Sequence, residues 1–295
     1  MTRRHALIPL LIALTVANPA FCQGLAQDAI SCLGCHQKVL EEEYKHVAAV
    51  KNCMNCHKSN GNAHPAEGIK GFTLLAETPG LCYSCHEKIK TGSEGARYPH
   101  PVMTSGKNCL VCHSPHASSE KKLLLVSETK LCLGCHNKSV SAENKPIQNI
   151  RQIATSNTYT HGMISKTGCS GCHMPHGSPN PFILAGSYQE GIYTSVNKEN
   201  FLVCFTCHKS ELLLEENTTT ATAFRNGSKN LHYLHIQGSK TRKCVSCHNV
   251  HGAMNTRLIA EKISFGKWEM PIQFRILDKG GSCAPGCHAE KIYKR

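Results

Sequence analysis

The stretch "TGCSGCHMPHGS", residues 167–178, sets Cys169 and Cys172 two residues apart, follows them with His173, and adds His176 three residues later. C-x-x-C-H is the sequence at which a c-type haem is attached. The two thiols add to the two vinyl groups of haem, and the adjacent imidazole approaches the iron from one face. The spacing is tight because both sulfurs and one nitrogen must meet a single porphyrin. His176 is a poor candidate for the opposite face of that same haem. Residues three apart in a helix lie on one side, and the residue before Pro175 is steered away from helical backbone. His176 is therefore expected to reach a different haem, and the same holds for His116 in "CHSPH" and His251 in "CHNVH".

The word recurs along the whole chain. Its copies are Cys32/Cys35/His36, Cys53/Cys56/His57, Cys82/Cys85/His86, Cys109/Cys112/His113, Cys132/Cys135/His136, Cys169/Cys172/His173, Cys204/Cys207/His208 and Cys244/Cys247/His248. A ninth copy, Cys283/Cys287/His288, reads C-A-P-G-C-H and has one residue more. These words use every cysteine except Cys22. A zinc half-site, a redox dithiol or a disulfide framework accounts for paired cysteines. None of them requires histidine directly after every second one. Nine covalent haems are the expectation.

The fold class follows from supply. The chain of 295 residues offers about 33 per haem word, with 6% aromatics and a single tryptophan, Trp268. That is too little apolar side chain for an ordinary core at this length. The haem array is expected to form the core, in a chain that is mostly irregular with short α-helices and little or no β-structure. "QKVLEEEYKHVAAV", residues 37–50, has Val39, Leu40, Tyr44 and Val47 at helical spacing and predicts the clearest helix.

Beyond a leading motif (27–45), the words fall into four two-haem repeats, 46–99, 100–160, 161–230 and 231–295. In each, a histidine precedes the first word by seven to nine residues. A further histidine follows it, then an apolar patch such as "LLLV" at 123–126, then a plainer second word. The first repeat is looser, with His64 seven residues after His57 and no "PH". Residues 87–98, 137–160 and 209–230 are polar and read as loops or short linkers.

Of 19 histidines, His5 falls in the leader and nine close the words. Nine remain: His46, His64, His100, His116, His161, His176, His232, His235 and His251. The number equals the sixth positions that nine haems would need filled. His64 and His232 sit least regularly. The rival ligand is methionine, which raises the potential. Met54, Met103, Met163, Met174, Met254 and Met270 show no repeated offset, so bis-histidine ligation and low potentials are expected.

At the N-terminus Arg3 and Arg4 precede an apolar run from Ala6 to Ala17. This predicts a signal peptide over residues 1–26, with cleavage after Gly24-Leu25-Ala26 or near Ala20-Phe21-Cys22. The run is short for a membrane span, and no later segment has that length. A lipoprotein reading would retain Cys22 as the acylated residue, but Pro19 and Phe21 fit that poorly. The formal charge is +13. Removing the leader leaves about +11, and nine haems with ionised propionates bring the total to about +2 oxidised and about −7 reduced. The basic residues are therefore expected to neutralise propionates. Nucleic acid is not an expected partner, since there is no basic-aromatic stripe.

The unit H-x(7–9)-C-x-x-C-H-x-P-H-G/A-S followed by L-C-x-x-C-H resembles the doubled-CXXCH multihaem cytochromes, within the cytochrome c3-like group. "TAFRNGSKNLHYLH" and "GGSCAPGCH" are similar to segments of secreted multihaem cytochromes of Geobacter-like bacteria. The resemblance spans nearly all of the mature chain. It implies electron transfer in the periplasm or at the outer surface, in anaerobic or metal-reducing respiration, often toward extracellular acceptors. Expected partners are redox proteins, among them other multihaem cytochromes or an outer-membrane porin-cytochrome complex, and self-assembly into a filament is a further option. A reductase of nitrite, hydroxylamine or a sulfur oxyanion is the enzymatic alternative, and would need one haem with an open position. No catalytic residue is expected for the carrier.

Overall fold

The computed structural model describes residues 32–104, 109–139, 147–156, 158–191, 193, 197–237 and 241–295. The expected signal peptide and Cys22 lie outside them. Most of the chain is irregular, and the helices are short. The haem words take two forms. Words that open a repeat begin as single 3-10 turns: Cys53–Asn55, Cys109–Val111, Cys169–Gly171 and Cys244–Ser246. Words that close a repeat begin in α-helical turns: Gly80–Tyr83, Glu128–Cys135 and Leu202–Phe205. In both forms the histidine N–H typically donates to the carbonyl of the first cysteine, as His173 does to Cys169 at 3.0 Å. One closed helical turn brings both sulfurs and the imidazole to one side.

Short antiparallel pairings join successive repeats. Tyr44–Lys45 pairs with Ala117–Ser118, and Tyr159–Thr160 pairs with Gly252–Ala253. Tyr98 forms the equivalent bridge to Ser178. In each case the residues just before a leading histidine pair with those just after the histidine that follows the next repeat's first word. We call these pairings staples.

The staples explain where the sequence reading of 37–50 departs from the structure. A 3-10 turn covers Gln37–Leu40, the backbone extends through Tyr44–Lys45, and an α-helix resumes only at Val47–Lys51. His46 stays extended (φ −71°, ψ 121°) because its N–H donates to the carbonyl of His116 at 2.8 Å. A long-range backbone pairing overrides the local helical period. The polar stretches are also more regular than loops. They contain helices at Glu87–Glu94, Ile150–Ser156 and Glu211–Leu214, and a small hairpin of Arg225–Asn226 with Lys229–Asn230. Beyond the staples, His57–Ser59 pairs with Phe72–Leu74 in the first repeat, and further β-structure gathers at the C-terminal end. There Lys262–Phe265 pairs with Trp268–Pro271, and Gly280–Cys283 pairs with both Arg275–Leu277 and Lys291–Lys294.

The polypeptide's own core is small. Tyr188, Phe201, Leu213 and Ile236 form a buried cluster in the C-terminal half, with Leu184, Val203, Phe205 and Leu212 packed against it. Elsewhere large apolar side chains such as Val47, Leu110, Phe182 and Ile292 are exposed to an internal cavity rather than packed on one another. Phe201 is 1% exposed at the centre of the cluster. Phe201→Ala is expected to cost about 3–5 kcal/mol. Chemical denaturation should show an earlier loss of C-terminal structure, and an unchanged unfolding midpoint would contradict this.

Candidate functional site

One continuous cavity of about 5270 Å³ runs through the molecule, and all eighteen motif cysteines line it. Shared among nine words this is about 590 Å³ each, within the 300–1,000 Å³ typical of a pocket for a small organic ligand. Twelve Lys and Arg residues line the cavity against three carboxylates, Glu128, Glu190 and Glu269. The whole chain has 33 basic and 20 acidic residues. The excess of cations on the walls suits a group that brings its own carboxylates.

Across this cavity the imidazoles face one another in pairs. Each pair joins one motif histidine to one outlying histidine. His36 faces His64 at 5.9 Å between ring centres, His86 faces His46 at 6.1 Å, and His57 faces His116 at 6.1 Å. His136 faces His100 at 6.3 Å, His113 faces His176 at 6.1 Å, and His208 faces His161 at 6.2 Å. His173 faces His251 at 6.2 Å, His248 faces His232 at 6.4 Å, and His288 faces His235 at 6.4 Å. A metal–imidazole bond is about 2.0 Å, so two imidazoles on opposite faces of one metal have centres about 6 Å apart. The interplanar angle is 11–23° for seven pairs but 44° for His161/His208 and 42° for His235/His288. The donor set, the spacing and the cavity together fit covalent c-type haem.

The chain matches the doubled CXXCH motif family over residues 46–91, 100–141 and 161–212. It is a doubled-CXXCH multihaem c-type cytochrome. No curated protein matches it. The three matched ranges begin at His46, His100 and His161. They omit the leading word and the last repeat, where the C-A-P-G-C-H word departs from the pattern.

The pairing in this cytochrome follows a rule. A histidine that leads a repeat faces the second word of its own repeat, as in His46/His86, His100/His136, His161/His208 and His235/His288. A histidine that follows a first word faces the first word of the preceding repeat, as in His116/His57, His176/His113 and His251/His173. His64 obeys the same rule by facing His36, the leading word. His248 has no repeat after it, and His232 from its own repeat takes the place. The staples create this arrangement, because each sets the two outlying histidines of adjoining repeats side by side.

Hydrogen bonds fix which nitrogen is presented. Nδ1 of His113, His173 and His248 lies 2.9–3.0 Å from the carbonyls of Lys122, Phe182 and Arg257. Donation from Nδ1 leaves Nε2 free to bind metal and holds the ring's orientation. Those three carbonyls lie at the start of, or directly before, the apolar patches, at residues held with φ near 60° (59°, 58° and 59°). Such backbone is unfavourable for residues other than glycine, and it recurs here in three repeats at the point that aims the motif histidine. This contribution is backbone, which sequence reading saw only as an apolar patch. Nδ1 of His100 is similarly 3.0 Å from the carbonyl of Pro175. Burial, with neighbouring imidazoles, pushes His232 and His251 down to about 4. They are neutral near pH 7, the form that binds a metal.

Further residues escaped the sequence reading. Phe224 packs edge-on against His232 at 5.1 Å and lies 5.6 Å from His235. Gly71 lies so close to His64 that a Cβ would approach its side chain to 2.5 Å. Glu128 accepts from the Ser170 backbone N–H at 2.7 Å and its hydroxyl at 2.9 Å, tying the second word of one repeat to the first word of the next.

His176→Ala is expected to leave the haem attached at Cys169 and Cys172 unaffected and to convert the haem attached at Cys109 and Cys112 from six- to five-coordinate. Intact mass should be unchanged apart from the substitution, while one high-spin ferric signal appears by EPR. Loss of a haem, or no spin-state change, would contradict the pairing rule.

Proposed function

We propose that the protein is an electron carrier in which nine bis-histidine haems form one row in chain order. Electron transfer itself follows from the multihaem c-type motif, and bound haem supplies the one-electron iron couple. The nine mutual histidine pairs carry the finer reading. A reductase needs an iron position that the protein does not fill. Each motif histidine here faces an outlying one, which favours a carrier with low potentials.

The order of the row rests on the thiols, which mark where successive haems would attach. The Cys53 thiol is raised by burial and by a hydrogen bond with Cys32. Cys82 is raised to about 11 by burial and by Cys109. Cys132 is held well above the ordinary range by its hydrogen bond with Cys169, and Cys204 by its hydrogen bond with Cys244. Between these tight junctions lie looser ones, in which Cys56 feels Cys82 and Cys85, Cys112 feels Cys135, Cys172 feels Cys204 and Cys207, and Cys247 feels Cys283 and Cys287. Every successive pair of words thus lies within electrostatic reach, and hydrogen-bonded and looser junctions alternate from Cys32 to Cys287. The chain positions the haems and sets their axial ligands; no substrate pocket is required.

Among the described residues no helix is long and apolar enough to cross a membrane. With the expected leader over residues 1–26, this supports export and work in the periplasm or at the outer surface. There the carrier would pass electrons between redox proteins, such as other multihaem cytochromes or a porin-cytochrome complex, in respiration toward extracellular acceptors. Intact mass of the purified mature protein tests the reading. The expected mass is that of residues 27–295 plus nine haems. Fewer than nine haems would break the row and overturn it.

A further inference from the structure

Arg242 carries a charge on the cavity wall that the pairing of imidazoles does not use. Its backbone N–H donates to the carbonyl of His235 at 3.1 Å, and His235 faces His288 of the last word. Its Nη2 lies 3.6 Å from Cys287 Sγ of that same word. The guanidinium carbon sits 5.0 Å from the ring centre of Tyr193 and 5.2 Å from that of Phe265, so two aromatic rings hold the head group. Nη1 is buried and, among the described residues, has no hydrogen-bond partner. Burying a guanidinium N–H without an acceptor is costly.

Among the described residues no carboxylate pairs with it. Glu269, on the neighbouring hairpin, is engaged by Ser264 at 2.6 Å and Lys262 at 3.5 Å. Arg242 nevertheless lines the cavity. A planar fork suits a carboxylate, and clamping between rings restricts it in advance. The carboxylates that a haem brings to this end of the cavity are its propionates.

We infer that Arg242 binds a propionate of the haem attached at Cys283 and Cys287, and that its charge raises that haem's potential. The inference rests on the reading that the ninth word carries haem. A fixed cation favours the ferrous state, which has one positive charge less than the ferric. The C-terminal haem then has a higher potential than it would have without Arg242.

The test compares the full-length holoprotein with R242Q and R242K by intact mass, potentiometric EPR and redox-difference infrared spectroscopy. The last haem is expected among the two sites with tilted imidazoles, His235/His288 and His161/His208, which gives it a signal distinct from the near-parallel seven. In R242Q one tilted-class haem should become at least tenfold harder to reduce, a shift of 59 mV, with nine haems retained. R242K, which keeps the charge and loses the fork, should shift less and should move the propionate infrared band. If R242Q does not accumulate, the propionate band in R242K alone decides. Nine haems with unmoved potentials and an unmoved propionate band would overturn the inference and leave the row intact. Eight haems in the unsubstituted protein would overturn both.

Discussion

Two imidazoles held about 6 Å apart across a cavity, one from a C-x-x-C-H word and one from elsewhere, form the spacing around which this molecule is built. Covalent attachment fixes each haem to its own word on one side only. The opposite face must be supplied by another part of the chain, and a chain with few apolar side chains has little else with which to hold its parts together. On the proposed reading, each axial bond is therefore also a tertiary contact. The second haem of a repeat closes that repeat on itself, and the first haem closes it onto the next.

The staples make this economical. A pairing as short as Tyr44–Lys45 with Ala117–Ser118 would be marginal alone. It delivers His46 and His116 together, toward the two words of one repeat. Bis-histidine ligation would in turn hold the pairing closed. The strained carbonyls at Lys122, Phe182 and Arg257 fit the same scheme, because the haem array can compensate a conformation that the apolar patch alone would not favour. At the ends of the row the scheme is adjusted. His64 reaches back to the leading word, His232 stands in for a repeat that does not follow, and Trp268 packs where a Cβ on Gly286 would lie, over the longer ninth word.

What the sequence made legible, and what it did not, divides along covalent and long-range chemistry. The words could be read because thioether attachment needs contiguous residues. That His176 serves a different haem could also be argued, since Pro175 and the three-residue spacing oppose its return to the same one. That the motif histidine opposite it is His113 could not, because this depends on the long-range pairing of Tyr98 with Ser178. A partial signal was present: Tyr-x-His recurs at 44–46, 98–100, 159–161 and 233–235, and the first three tyrosines are the stapled residues, whereas Tyr233, in the last repeat, lies in the helix Leu231–Ile236. The same staple explains why 37–50 is broken at Tyr44 despite its helical period. The helix at Glu87–Glu94 was missed for the opposite reason: residues that read as a polar linker form a helix with one face turned inward, where Ser93 is buried against Tyr83.

The central claim is that every iron of the row has two histidines. The most direct measurement is low-temperature EPR of the fully oxidised protein. The account predicts low-spin ferric signals alone, with an integrated intensity of nine spins per molecule after allowance for coupling between neighbours. A high-spin ferric signal of even one spin per molecule would mean an open iron, and would contradict it.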